Sequence, residues 1–316
     1  MAAALRLPEG YISDHLSSMG AVLVPGMVGM WLVSGALATV FLGVSIGTAM
    51  LIGAIVTPTD PVLAGTIVTR NLAEESIPAR VRHVLTGEAG ANDGLAYLFV
   101  FLPMLLLQYS PDRAISQWLL ETVLWEVGSA VVVGVLVGAC AGFAEHKSVE
   151  YEVIEETSLL TLSVAFTFAV LGGVKLLGSD GILAAFVAGL FFTRFAESSD
   201  KAEEQKIQET VLRLFTFPVF VIFGLALPWE QWITLGWEGL ALVVGVLLFR
   251  RVPVALVFQS LVSPMVRPSD ALFAGWFGPI GSRRCTTRLL QTAFLGTPSS
   301  GESSVSSYWA LSLSTV

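Results

Sequence analysis

Apolar stretches of about the length that crosses a bilayer, roughly 20 residues, recur along the whole chain. They fall near 21–43, 47–69, 84–108, 118–143, 158–177, 181–195, 210–228 and 236–262, with a last one opening at 270. In hydrocarbon a backbone amide or carbonyl has no water to bond, so each stretch must satisfy its own polar groups. The pattern predicts an all-α, polytopic membrane protein with the lipid bilayer as its principal partner. Composition agrees, because 54% hydrophobic and 13% charged residues with a mean hydropathy of +0.75 leave too little polar surface to coat a soluble globule. The net charge of -8 comes mainly from acids between the spans, such as Glu74, Glu155 and Glu203. No basic stripe suited to nucleic acid exists.

Basic residues divide unevenly between alternate connections. Arg70, Arg80, Arg82, Lys147, Arg194, Lys201, Lys206 and Arg267 fall on one set, whereas Arg113 and Lys175 fall on the other. The positive-inside rule makes the first set cytoplasmic. Residues 1–20 carry Arg6, Glu9, Asp14 and His15 and read as a polar lead. Residues 196–209 read as a solvated connector or short surface helix, a hinge between two halves.

Within this apolar frame two acids stand out, because an ionisable group at membrane depth costs free energy that packing does not demand. Asp60 lies in Thr57-Pro58-Thr59-Asp60-Pro61. Each proline lacks an amide hydrogen and restricts the residue before it, so the helix should unwind between Thr57 and Asp60. Asp60 then suits an N-cap and Pro61 the first position of a second half-helix. A plain proline kink with a capping acid is the structural alternative. Asp93 lies in Glu88-Ala89-Gly90-Ala91-Asn92-Asp93-Gly94. Counted from Val84, it reaches about 14 Å into the membrane. Glu88 and Asn92 share a face, and Asp93 points about 100° round the helix. Oxygen donors from Asp93, Asn92 and unwound carbonyls suit a hard alkali cation, against the alternative of a buried helix–helix hydrogen bond.

Arg250 and Arg251 interrupt the apolar stretch 236–262. Taken as a single span, that stretch puts both guanidinium groups at the depth of the acids, and a bridge from Arg251 or Arg250 to Glu88 is expected. The competing picture ends a short span at Phe249 and leaves both arginines at the surface. Gly275-Trp276-Phe277-Gly278-Pro279-Ile280-Gly281 is a second Gly/Pro-interrupted segment, entering from the side opposite to the Asp60 span. Two broken spans of opposite direction predict an inverted-repeat secondary transporter with a midplane site. Among the remaining polar residues, Glu126 has the choice of lining a pathway or making a local hydrogen bond, Asp180 suits a helix cap, and Gly134 and Gly138 suit close helix packing. His15, His83 and His146 show no metal-ligand spacing, and the glycines form no phosphate loop, so no cofactor is expected.

Thr59-Asp60-Pro61-Val62, Glu88 with Asn92-Asp93-Gly94, the Arg-Arg span and Gly278-Pro279-Ile280-Gly281 together resemble the sodium/proton exchanger branch of the monovalent cation:proton antiporters. The stretch from Thr57 through Val68 with Asn92-Asp93-Gly94-Leu95-Ala96 is similar to fungal plasma-membrane sodium/proton antiporters and bacterial relatives. The resemblance covers about residues 20–281. It implies an inverted-repeat antiporter fold with broken crossing helices in a core domain and a separate dimerisation domain, exchange of sodium, lithium or potassium for protons by elevator-like alternating access, a plasma-membrane location and a homodimer. Carried over by position, it makes Asp93 the shared cation and proton carboxylate with Asn92 beside it, puts Thr59 and Asp60 at the crossover around the cation, and pairs Glu88 with Arg251. The domain division is then a lead over 1–20, an exchanger membrane domain over 21–281 and a divergent Ser-rich tail over 282–316. The resemblance also implies further spans ahead of residue 21 and a glycine-rich helix after Gly281. Ser282-Arg283-Arg284-Cys285 and the Ser-rich tail depart from that pattern, as expected of a truncated, frameshifted or mis-spliced reading frame, which makes a non-transporting fragment one alternative. An intramembrane aspartyl protease using Asp60 and Asp93 is another, although no Gly-x-Gly-Asp string follows. An ion channel is a third, which a carboxylate that must exchange partners fits less well.

Overall fold

A computed structural model describes residues 1–59, 77–150, 156–195 and 198–277, and these form helices and turns with no β-strand among them. Short helices α1 (Ala2–Leu5), α2 (Tyr11–Asp14) and α3 (Leu16–Ala21) lead through a π-helical turn, Val22–Gly26, into α4 (Met27–Leu42). Then come α5 (Ile46–Val56), α6 (Ala79–Gln108) and α7 (Pro111–Gln117), which continues through a π-helical stretch, Trp118–Gly128, into α8 (Ser129–Glu150). The remaining helices are α9 (Glu156–Leu176), α10 (Gly181–Phe195), α11 (Ser198–Ala226), α12 (Trp229–Phe249), α13 (Val252–Phe258) and α14 (Pro268–Phe277). Among the described residues five continuous helical stretches are long and apolar enough to cross a membrane: Leu16–Leu42, Ala79–Gln108, Pro111–Lys147, Ile207–Ala226 and Trp229–Leu261.

Local chemistry sets the ends. Gly43 closes α4 in the left-handed region at φ 62°, where a residue without Cβ pays no steric cost. Ser45 opens α5 by accepting from Thr48 N at 3.4 Å. Asp180 caps α10, its Oδ1 accepting from Ile182 N at 2.9 Å and Leu183 N at 3.2 Å, as its place in the sequence predicts. Pro111 forces Ser110 into extended backbone (ψ 150°) and separates α6 from α7.

The packing is that of a membrane protein. Apolar side chains such as Leu120, Leu124, Leu240 and Leu247 are exposed on the outer faces, where lipid tails replace water as solvent. The helices approach on small residues. A Cβ added to Gly134 would lie 2.8 Å from the carbonyl of Ala184, and one on Gly142 would lie 2.7 Å from that of Phe192. Gly138, between them, meets the carbonyl of Ala188. This glycine seam brings the backbones of α8 and α10 together, the use expected of small residues at four-residue spacing. Gly53 does the same for α5 on α4, its absent Cβ leaving room for the backbone at Trp31 and Gly35.

Three sequence expectations change in the structure. Residues 1–20 are not merely a polar lead, because Leu5, Leu7, Tyr11 and Met19 are buried and Leu7, Tyr11 and Met19 join the core beside Val84 and Phe186. Their apolar residues alternate with charged ones, and short helices turn the former inward. The stretch 196–209 takes its helical alternative from Ser198 but is not solvated throughout, because Gln208 is buried with its amide donating to the Thr167 hydroxyl at 3.1 Å. The stretch 236–262 falls almost wholly within one candidate span, Trp229–Leu261, but not as one unbroken helix: Gly236 has φ 58° and ψ -141° within α12, and that helix ends at Phe249. Pro253 supplies the reason, since it cannot donate the amide that the carbonyl of Phe249 would need. The lower half of the Asp60 span, the segment Gly278-Pro279-Ile280-Gly281 and the Ser-rich tail lie outside the described residues.

The seam yields a stability prediction. Gly138→Leu should lower the thermal midpoint of the detergent-solubilised protein measurably, at a cost of about 1–3 kcal/mol for overpacking. Gly173→Leu, where an added Cβ meets nothing within 4 Å, should leave it close to wild type in the same melt.

Candidate functional site

The site is built around two interruptions, one at the end of α5 and one between α12 and α13. Helix α5 stops at Val56, the point from which the sequence predicts unwinding. In a continuous helix the carbonyls of Ala54 and Thr57 would accept from residues 58 and 61, both of which are prolines. Part of that deficit is met locally, by Thr57 N bonding to Ala54 O at 3.4 Å. The rest is met by Arg250, whose Nη1 donates to the carbonyl of Thr57 at 3.0 Å and also to that of Val56. Arg250 is 1% exposed. A cation at this position also complements the negative end of the α5 dipole.

The neighbouring arginine turns to the other acid. Arg251 Nη2 donates to Glu88 Oε2 at 2.6 Å, and its Nε donates to the carbonyl of Ala274 at 2.9 Å. Glu88 is 2% exposed, so the pair sits away from solvent and lipid alike, where the geometry must repay desolvation of both charges. The same residue ties α6 to α14. A second pair at the basic end of these helices, Arg80 with Asp270 at 3.0 Å, joins them again.

Asn92 and Asp93 leave α6 in different directions. The Asn92 amide donates to the hydroxyl of Thr59, and both side chains are buried. This contact pins the unwound segment after α5 to the middle of α6. Asp93, at the midpoint of α6, is half-buried and lines a cavity of about 450 Å³ with Gly90, Thr167, Phe186 and Gln208, closed at one side by residues of α1 and Arg6. Close approach of α10 to this part of α6 depends on glycine again: a Cβ at Gly94 would lie 2.5 Å from Leu183 Cβ.

The structure therefore brings Thr59 to Asn92 and Glu88 to Arg251, and gives Asp93 a cavity of its own. Asp60 lies outside the described residues. Arg250 is the residue for which sequence reasoning assigned no separate task. The signal was present, because two prolines three apart orphan two carbonyls at membrane depth and require a donor.

The buried pair predicts a coupling. Glu88→Ala or Arg251→Ala alone should each destabilise the protein by about 3–5 kcal/mol, because each leaves a buried charge unmatched. The double substitution should cost clearly less than the two single ones combined. Chemical or thermal unfolding of the four proteins measures that difference directly.

Three comparisons bear on this arrangement. The family model described as "Sodium/hydrogen exchanger, transmembrane" matches residues 2–285. A Na+/H+ antiporter of Saccharomyces cerevisiae is 30% identical over 292 residues, covering 89% of this chain and 29% of the relative. The Na+/H+ antiporter 2 of Zygosaccharomyces rouxii is 32% identical over 289 residues, covering 89% of this chain and 36% of the relative. The chain thus spans about a third of the length of these curated relatives. A solved structure of the sodium proton antiporter MjNhaP1 from Methanocaldococcus jannaschii aligns with a TM-score of 0.42 at 17% identity, over 89% of this chain and 63% of that one. That overlap is too loose for comparison side chain by side chain. The match of the family model over nearly the whole chain decides the assignment: this protein is a member of the sodium/hydrogen exchanger transmembrane family.

Proposed function

We propose that the protein is a secondary antiporter that exchanges a monovalent cation for protons across the membrane, with Asp93 as the carboxylate on which the two ions alternate. The observation that carries this reading is the placement of Asp93 at the midpoint of a membrane-length helix, against a cavity of about 450 Å³, in a chain of the exchanger family. Both fungal relatives are Na+/H+ antiporters by name, which supports sodium as a substrate. Lithium and potassium present the same charge to the same kind of oxygen donor.

In this mechanism a cation entering from one side displaces the proton of Asp93 and is held by its carboxylate oxygens. The core then reorients, and a proton from the other side displaces the cation. Neither charge accumulates on the carboxylate, and a gradient of one ion drives the other. Asn92, fixed to Thr59, holds the segment after α5 against α6, and by the resemblance Asn92, Thr59 and Asp60 supply further oxygen ligands to the cation. Glu88 and Arg251 neutralise each other and act as a positioning pair. The reaction calls for no cofactor. By the same resemblance the protein works as a homodimer in the plasma membrane, moving its core by an elevator-like step.

The test is flux in vesicles carrying the protein within its complete reading frame. Wild type should show saturable cation uptake that reverses with the imposed proton gradient, and Asp93→Asn should reduce it to the level of empty vesicles. Undiminished gradient-coupled uptake in Asp93→Asn would remove Asp93 from the mechanism, and peptide cleavage without any flux would favour the protease reading.

A further inference from the structure

A second buried acid takes no part in this mechanism. Glu126 lies in the π-helical stretch Trp118–Gly128, a distortion that is frequent at functional sites. Its backbone carbonyl is held, accepting from Ser179 Oγ at 2.7 Å and Asp180 N at 3.4 Å. Its side chain is not held: Glu126 is 8% exposed, yet its carboxylate makes no hydrogen bond to any described residue. It faces a cavity of about 100 Å³ instead, beside Tyr97, Thr122, Lys175, Ser179 and Asp180.

The position of this cavity matters as much as its lining. It opens among the ends of α6, α7 and α9 remote from Arg80, Arg82 and Lys147, which is the outer side by the distribution of basic residues. Its inner wall is Tyr97, one turn of α6 beyond Asp93, a step of about 6 Å. Ile182 lines the cavity of Asp93 and Asp180 lines this one, so the first turn of α10 divides the two. Three acidic residues, Glu121, Glu126 and Asp180, line it with the single basic residue Lys175, although Asp180 Oδ1 also caps α10 and Glu121 Oε2 accepts from Gln117. Low-dielectric walls around such an imbalance focus the field and concentrate cations.

We propose that Glu126 forms an outer approach site, which gathers the monovalent cation from the side opposite the basic loops and delivers it towards Asp93. The inference rests on the antiporter reading above and adds a residue to it. Glu126 is a steering group with a rate and affinity role on one side of the membrane, whereas Asp93 performs the exchange from both.

Sidedness makes the proposal testable. In vesicles of each orientation, carrying the protein within its complete reading frame, Glu126→Gln should raise the KM for sodium about tenfold from the outer side and leave the inner KM unchanged. Glu126→Asp should restore most of the outer value. Equal KM values on both sides would overturn the proposal, and so would an altered outer proton dependence with an unaltered sodium KM. A second measurement is independent of transport. With Cys140→Ser and Cys285→Ser as background, Gln117→Cys at the cavity mouth is labelled from outside with methanethiosulfonates bearing either a trimethylammonium or a sulfonate group. The cationic reagent should react faster, and adding Glu126→Gln should reduce its advantage several-fold. An unchanged ratio overturns the outer site even where exchange is normal. A ratio that falls in protein without measurable exchange would sustain the cation-gathering site and reject the antiporter reading alone.

Discussion

Two guanidinium groups at one interruption of a membrane helix hold the interior of this protein in place. Arg250 reaches the carbonyl end of α5 and Arg251 reaches Glu88 on α6 and the backbone of α14. An arginine at mid-membrane costs about 2.5–3.5 kcal/mol on insertion scales. Each here makes two hydrogen bonds, and bonds involving a charged group contribute about 1.5–3 kcal/mol apiece. The balance is therefore favourable only while both partners of each arginine remain in position. That dependence makes the arginines conformational constraints as well as charges: moving α5, α6 or α14 independently would strand one of them.

The same arrangement explains why two helices are broken where they are. Pro58 and Pro61 leave carbonyls of α5 without donors, and Pro253 ends α12 early so that Arg250 and Arg251 can leave the helix in different directions. An uninterrupted helix would place consecutive residues about 100° apart on one cylinder. Breaking it frees one arginine to turn towards α5 and the other towards α6. The glycine seam between α8 and α10, and Gly94 on α6, hold the surrounding helices at backbone contact, so that α6 and its acids are set in a rigid frame.

How far the sequence reveals this depends on which residues carry the information. The cap at Asp180 was legible because such a signal acts within four residues, and Ser45 and Pro111 fix helix ends over the same short range. The unwinding after Val56 and a bridge to Glu88 from one of the two arginines were legible from charge and depth, and the family resemblance alone singled out Arg251. The division of labour between the arginines was not, since either could reach Glu88 until the helix break at Phe249 aimed them. Gln208 was misplaced for a related reason: its neighbours in sequence are charged, and only the packing of α11 on α9 shows that an amide there has a hydroxyl and a carbonyl to meet. The lead was misread because its average is polar while its buried members, Leu7, Tyr11 and Met19, are spaced to meet a core that no local window contains.

Under the proposed exchange, Glu88 and Asp93 divide structure from chemistry within five residues of one helix. Glu88 is matched by a guanidinium at 2.6 Å, and releasing it would leave Arg251 buried without its counter-charge. A proton or alkali ion competing for Glu88 would have to displace a fixed cation and disturb α14 as well. Asp93 borders the cavity of about 450 Å³, where an arriving ion can reach it without disturbing the Glu88–Arg251 pair. An exchanging carboxylate needs both of its occupied states to be close in free energy, and a fixed ion pair on one of them prevents that. On the proposed reading Glu88, fixed to Arg251, is for this reason unable to exchange, and the same helix places Asp93 at the cavity.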